Sequence, residues 1–274
     1  MNKLKPLKLA TANIMLSPIA PIPMNMLLAG QVGEIPPDIV AFQDVVATGL
    51  AGTDVSISNP KAATDAAGFP GGWTTVFVCT ANDGVNGVGH AICIRNASGL
   101  TVASMKSTTF TNLPPTDKKV RKLLTVVLKT REGVLFTVQS TQLSWAGTAN
   151  STATKGNIEL ILATPGPQIV MGDLKTAWKY VKDICEKYGY SLVPISPAVT
   201  SYGTQGTYCF DYILTNFGEL TNSRISEYHM GGNSDHLVVC AELIDVNLMT
   251  DKSGTLPHTV TGIKNRTYED TPVA

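Results

Sequence analysis

The strongest constraint on how this chain folds is a repeated local pattern. Short runs of apolar and β-branched residues recur along most of its length, each bounded by Gly, Pro, Asn or Thr. Runs of roughly four to eight such residues read as strands, and the polar clusters between them as loops. The candidate strands are Leu7 to Ala12, Asp38 to Phe42, Thr74 to Cys79, His90 to Arg95, Leu123 to Lys129, Val134 to Ser140, Gln168 to Met171, Tyr208 to Leu214 and Leu237 to Leu243.

Helical spacing is rarer. Ala177, Val181, Ile184, Cys185 and Tyr188 recur at helical intervals, with Thr176 as the expected N-cap and Gly189 as the stop. Shorter helices are expected from Gln43 toward Leu50 and over Asn157 to Ala163. Hairpin-like pairs mixed with crossover helices imply an α/β or α+β sandwich with two sheets packed in the middle. Pro18, Pro21, Pro23, Pro36 and Pro37 break residues 14–37, which reads as an extended loop. Residues 1–246 read as a single domain, and 247–274 as a peripheral tail of turn formers and charge.

Composition narrows the functional classes. A hydrophobic content of 43% supports a substantial core, and 21 basic against 21 acidic residues give no overall field toward nucleic acid or anionic lipid. The one basic cluster, Lys118, Lys119, Arg121, Lys122, Lys129 and Arg131, reads as a solvated face beside a strand. Five cysteines lie far apart with no C-x-x-C pair, as expected of reduced core residues. No window offers about 18 uninterrupted apolar residues, so no membrane span is expected and an intracellular, cytoplasmic protein is.

The polar residues at the strand ends carry the chemical signal. Asn13 closes KLATAN; Gln43 and Asp44 close PDIVAFQD; Gln142 follows LFTVQS; Asp173 ends IVMGD; Asp211 lies in YCFDYIL; Asp235 and His236 open HLVVCAEL. Any one of them alone is ordinary: a turn-forming asparagine, a carboxylate at a helix start, a rim histidine. Asp211 stands out, because a carboxylate among Phe210, Tyr212, Ile213 and Leu214 needs a partner, for which His236 is the natural candidate. Four carboxylates with an asparagine and a histidine form a hard-oxygen set suited to Mg²⁺ or Mn²⁺ rather than zinc.

In order and spacing these segments resemble the endonuclease/exonuclease/phosphatase superfamily, the DNase I-like proteins, over roughly residues 7–246. KLATANIM resembles the opening strand, PDIVAFQDV the signature "PDIVALQEV", IVMGDLKT "VVLGDFN", FDYILTN "IDYIL" and NSDHLVV the closing "SDHxPV". The resemblance implies a four-layer α/β/β/α sandwich with two central mixed β-sheets and a metal-dependent phosphodiesterase, with nucleic acid or another phosphodiester as substrate. By position, it implies that Asp44 and Asp235 hold the metal with support from Asn13. His236 would act as acid or base, Asp211 would orient it, and Asp173 would position or deprotonate the attacking water.

Three matched positions depart from the pattern. Asp44 is one methylene shorter than the expected glutamate, Gln142 replaces a histidine, and Lys175 replaces the asparagine of "GDFN". Two readings follow. In the first, Lys175 takes over charge stabilisation and Gln142 keeps a substrate contact, giving an altered phosphodiesterase. In the second, the site is catalytically silent and the chain a binding or structural protein. His90, His229 and His258 read as structural or surface residues. Trp73, Trp145 and Trp178 read as packing, with Trp145 placed by the Gln142 loop within reach of a substrate.

Overall fold

A computed structural model describes residues 2–3, 5–14, 36–48, 51–52, 54–57, 72–82, 86–114, 117, 119–145, 152–203, 206–229, 235–244 and 247–248. Most of the proline-rich 14–37 segment and of the tail lies outside these residues, as does His258, and of His229 only the backbone is described.

Two mixed sheets form the centre. The strands, in chain order, are β1 (Asn2–Lys3), β2 (Leu7–Asn13), β3 (Ile39–Thr48), β4 (Val55–Ile57), β5 (Trp73–Asn82), β6 (Asn86–Arg95), β7 (Thr101–Thr109), β8 (Lys122–Lys129) and β9 (Leu135–Gln142). They continue with β10 (Gln168–Asp173), β11 (Ser191–Val193), β12 (Ser201–Gly203), β13 (Gly206–Tyr208), β14 (Asp211–Thr215), β15 (Glu219–His229), β16 (Leu237–Ile244) and β17 (Asn247–Leu248). One sheet has the order β11-β14-β10-β9-β8-β7 and the other β15-β16-β2-β3-β6-β5-β4. Each contains one parallel pair, β9 with β10 and β2 with β3, among antiparallel neighbours.

The inner faces pack on each other through Leu9, Ile39, Ala41, Ile92 and Ile94 from one sheet and Val126, Phe136, Val138, Ile169 and Ile213 from the other. Helices Thr152–Leu162 and Trp178–Tyr188 cover the outer face of the six-stranded sheet through Ile158, Ile161, Val181 and Cys185. The outer face of the other sheet is buried around Val40, Phe42, Phe77 and Val238. This is the DNase I-like sandwich.

Period-two alternation then determines where the polar residues go. On β2 the inward series is Leu9, Thr11, Asn13; on β9 it is Phe136, Val138, Ser140, Gln142; on β10 it is Ile169, Met171, Asp173. Each series begins in the apolar core and ends polar at the same end of the sandwich.

Several expectations are corrected. The helix expected from Gln43 toward Leu50 is not there over Gln43 to Thr48, the described part: β3 runs on to Thr48, pairing Val45 to Thr48 with Gly89 to Asn86 across a bulge that follows Phe42. Asp44 therefore sits at a bulge within a strand and adopts a left-handed backbone, φ 53°. Thr176 does not cap the second helix, whose N-cap is Ala177 with no side-chain capping bond. Instead the buried Thr176 carbonyl accepts from the Tyr212 hydroxyl at 2.8 Å. The expected strand Tyr208 to Leu214 is two, β13 and β14, so Asp211 opens a strand rather than lying inside one. All five cysteines are free, as expected.

Candidate functional site

A single rung of the six-stranded sheet carries three of the candidate residues. Asp173 on β10 is the register partner of Gln142 on β9 and of Asp211 on β14. Side chains opposite one another in a ladder project from the same face, so register alone brings these three together. Gly172 makes that rung possible: its φ is 153°, and a Cβ there would lie 2.1 Å from the Thr141 carbonyl oxygen.

The seven-stranded sheet supplies the facing wall. Asn13 Nδ2 donates to Asp173 Oδ2 at 2.9 Å across 160 residues of chain. Beside it, buried Gln43 donates to Ser140 Oγ at 3.1 Å, a second link between the sheets.

His236 enters from the start of β16. Its Nδ1 lies 2.7 Å from Asp211 Oδ2, so with Nδ1 protonated the imidazole donates to that carboxylate and turns Nε2 toward the centre. Nε2 lies 3.8 Å from Asp173 Oδ2 and 3.5 Å from Asp235 Oδ1. Thr200, which the sequence reading passed over, ties the pair together. Its hydroxyl accepts the N–H groups of Phe210 and Asp211 at 2.8 and 3.0 Å, and its carbonyl accepts that of Leu237 at 2.8 Å. No local pattern marks a lone threonine in a loop for such a role.

Of the three departing positions, Lys175 contacts Asp173 directly, while Gln142 and Asp44 bond to one another beside it. Lys175 Nζ pairs with Asp173 Oδ2 at 2.8 Å, and its backbone N–H reaches Asp173 Oδ1 at 3.2 Å. Gln142 Nε2 donates to Asp44 Oδ2 at 2.7 Å while its Oε1 accepts from Arg121 at 2.6 Å. Arg121 is thus buried and also pairs with Asp117 at 2.9 Å, which corrects its placement on a solvated face. Among the described residues three non-glycine positions have left-handed φ, and two of them are Asp44 and Lys175. Such a backbone costs about 1–3 kcal/mol and persists only where its surroundings impose it.

Electrostatics follow from burial and neighbours. Burial alone would lift the Asp173 carboxyl, but Lys175, His236 and Asn13 outweigh it and hold it below the usual carboxylate range. Burial would likewise suppress the charged forms of Lys175 and His236, yet the surrounding carboxylates, Asp173 for the first and Asp211 for the second, raise both. Burial raises Asp211 itself, against the pull of His236. The His236–Asp211 pair therefore shares a proton that is hard to remove.

Asp173, Asp211 and His236 offer ligand atoms within 4.8 Å of one another, and the Oδ1 atoms of Asp211 and Asp235 have no hydrogen-bond partner among the described residues. Unsatisfied buried carboxylate oxygens are what a hard cation requires, so the donor set fits one.

The rim is aromatic. Tyr208 and Phe210 stack at 4.7 Å with an interplanar angle of 7°, Trp145 packs against both, and Lys175 Nζ lies 5.3 Å from the Phe210 ring centre. Tyr208 and Phe210 also line an open groove of about 760 Å³ with Trp178, Lys179 and Lys182. Trp145 therefore packs on the residues next to Asp211, and Trp178 lies in the adjoining groove.

The sandwich is the DNase I-like fold, shared with solved structures of endonuclease/exonuclease/phosphatase proteins. A protein of that description from Beutenbergia cavernae shares it at TM-score 0.65 and 18% identity, covering 88% of this chain and 72% of that one. The human Nocturnin catalytic domain, solved with a bound sulfate anion, matches at TM-score 0.57 and 16% identity over 88% and 94%. ANGEL2, described as a 2′,3′-cyclic phosphatase and solved with adenosine-2′,3′-vanadate, matches at 0.59 and 12% over 88% and 96%. No family model and no curated relative matches the sequence.

Proposed function

We propose that this chain is a phosphoesterase that hydrolyses a phosphodiester, with nucleic acid as the substrate class and Mg²⁺ or Mn²⁺ as cofactor. The observation that supports this most is the His236–Asp211 pair, closed at 2.7 Å and set beside an ionised Asp173 that Asn13 anchors from the opposite sheet. Sulfate on Nocturnin and adenosine-2′,3′-vanadate on ANGEL2 are phosphate-like ligands on the same fold, and they favour the same ligand class here.

In this reading Asp173, kept charged, accepts a hydrogen bond from a water and takes its proton as the water oxygen bonds to phosphorus. His236, kept protonated by Asp211, donates its Nε2 proton to the leaving oxygen as the P–O bond breaks. Asn13 holds Asp173 in place. Lys175 and Gln142 contact the phosphate oxygens, and the aromatic rim packs against a base. Asp44 and Asp235, with Asn13 in support, would hold the divalent ion, which when bound neutralises phosphate charge.

The test is cleavage of a 3′,5′-linked oligonucleotide with Mg²⁺ or Mn²⁺. Turnover that disappears in His236→Ala and Asp173→Asn is the expected result. A second reading, a silent binding protein, draws on one observation: Gln142 and Lys175 already engage Asp44 and Asp173. Oligonucleotide binding without turnover under either ion, unchanged in Gln142→His with Lys175→Asn, would favour it.

A further inference from the structure

We propose that the Lys175 ammonium, held on Asp173, is a resident cation of this centre, with which a divalent metal ion binding among Asp173, Asp211 and Asp235 must compete. The inference rests on the reading above in one respect only: that the centre accepts a divalent ion.

Lys175 grips Asp173 twice. Its backbone N–H takes Oδ1 at 3.2 Å and its ammonium takes Oδ2 at 2.8 Å, so one residue engages both carboxylate oxygens. The left-handed φ of 47° lets the chain double back for this contact. Asn13 takes Oδ2 as well, at 2.9 Å, so three donors occupy this carboxylate. The ammonium also lies 5.3 Å from the Phe210 ring centre, which offers no oxygen in competition. The charges of Asp211 and Asp235 also act on the ammonium, and the Oδ1 atoms of both lack hydrogen-bond partners among the described residues. The centre is thus an anionic cluster in which one carboxylate is engaged by a tethered monocation while two others keep an open oxygen.

A second pole shows the same device in weaker form: Asp44 is engaged by the Gln142 amide, itself held by Arg121. An amide carries no charge to replace, so an ion displaces it more readily than the ammonium. Because a ligand's apparent affinity falls with the fraction of molecules able to accept it, a clamp closed in about 99% of molecules weakens ion binding about 100-fold. A divalent ion bound here is consequently in reversible competition with a side chain of the same molecule.

The experiment titrates the full chain with Mn²⁺ alone, by isothermal titration and by loss of the free-ion electron-paramagnetic signal. Lys175→Met is expected to bind Mn²⁺ at least about tenfold more tightly than the natural chain, and Lys175→Arg no more tightly. The melting temperature of Lys175→Met should also become metal-dependent, falling in chelator and recovering with Mn²⁺, whereas the natural chain responds less. Equal affinity in the natural chain and Lys175→Met would overturn the proposal. If Lys175→Met does not fold with or without the ion, amine labelling of the natural chain followed by peptide mass spectrometry decides. Mn²⁺ should accelerate labelling at Lys175 but not at the exposed Lys187, and no acceleration overturns the proposal. Tightened Mn²⁺ binding without any oligonucleotide cleavage would sink the phosphoesterase reading and leave the clamp; cleavage with equal Mn²⁺ affinities would do the reverse.

Discussion

Two histidines are buried equally deeply in this molecule, His236 and His90, each only 1% exposed, and they carry opposite charge preferences. His236 sits against the Asp211 carboxylate, and its affinity for a proton is raised although burial works against it. His90 lies on the inward face of β6, two residues before Ile92, and neither of its ring nitrogens completes a well-aligned hydrogen bond among the described residues. Burial, reinforced by the nearby Arg121 cation, depresses it to about 3. Depth alone therefore does not decide the state of an imidazole here: burial prevails at His90, while at His236 a carboxylate partner overrides it. One histidine holds a proton, which under the proposed function it gives to the leaving oxygen; the other is a neutral part of the core.

Removing the carboxylate should break the contrast most severely. Asp211→Asn leaves His236 without its anionic partner, and oligonucleotide cleavage is expected to fall by about 10²–10⁴. A pH–rate profile checks this, because the limb that depends on protonated His236 should move to lower pH. In stability the sign follows from the raised proton affinity: the His236 contribution is fully present below its unfolded value of 6.5 and is lost as pH rises through the folded one. That loss should disappear in Asp211→Asn.

His90 gives the mirror image. With the folded value near 3 and the unfolded value at 6.5, its contribution is full above pH 6.5 and is lost as pH falls toward 3. At pH 5 the natural chain should be about 2 kcal/mol less stable through this group alone, by about 1.4 kcal/mol per pH unit. His90→Leu, which cannot take up a proton, should flatten that part of the stability–pH curve in urea titrations. An unchanged slope would show that His90 is not the group responsible.

Smaller effects sharpen the comparison at the edges of the two sites. Gln142→Leu removes the amide between Arg121 and Asp44 and should cost about 1–3 kcal/mol by denaturant midpoint, leaving a buried guanidinium short of an acceptor. Thr200→Val keeps the shape but removes the hydroxyl that accepts the Phe210 and Asp211 amides, and a loss of about 1–2 kcal/mol is expected. If Thr200 positions the pair, kcat should drop in this variant while KM holds.

Much of the architecture was legible because strand residues alternate. The inward positions of β2, β9 and β10 could be counted from the apolar residues to Asn13, Gln142 and Asp173. Strands that lack an apolar face escaped notice. β7 (TVASMKSTT) is mostly exposed, and β15 (ELTNSRISEYH) carries few large apolar residues; both lie at sheet edges, where one side needs no core contact. The extension of β3 was hidden for a different reason, since the bulge after Phe42 disrupts the alternation and Gln-Asp there looks like a helix start. Arg121, read as solvated among neighbouring lysines, turned inward because Gln142 and Asp117 await it there.

What the chain's order of residues determined by itself is the sandwich and the end at which its polar residues gather, because both rest on alternation, a property of a few consecutive residues. Tertiary structure alone decided the charge of each group at that end. Asp173 meets Asn13 from 160 residues away and His236 meets Asp211 from 25, and a Coulomb interaction in a buried site depends on distance through space.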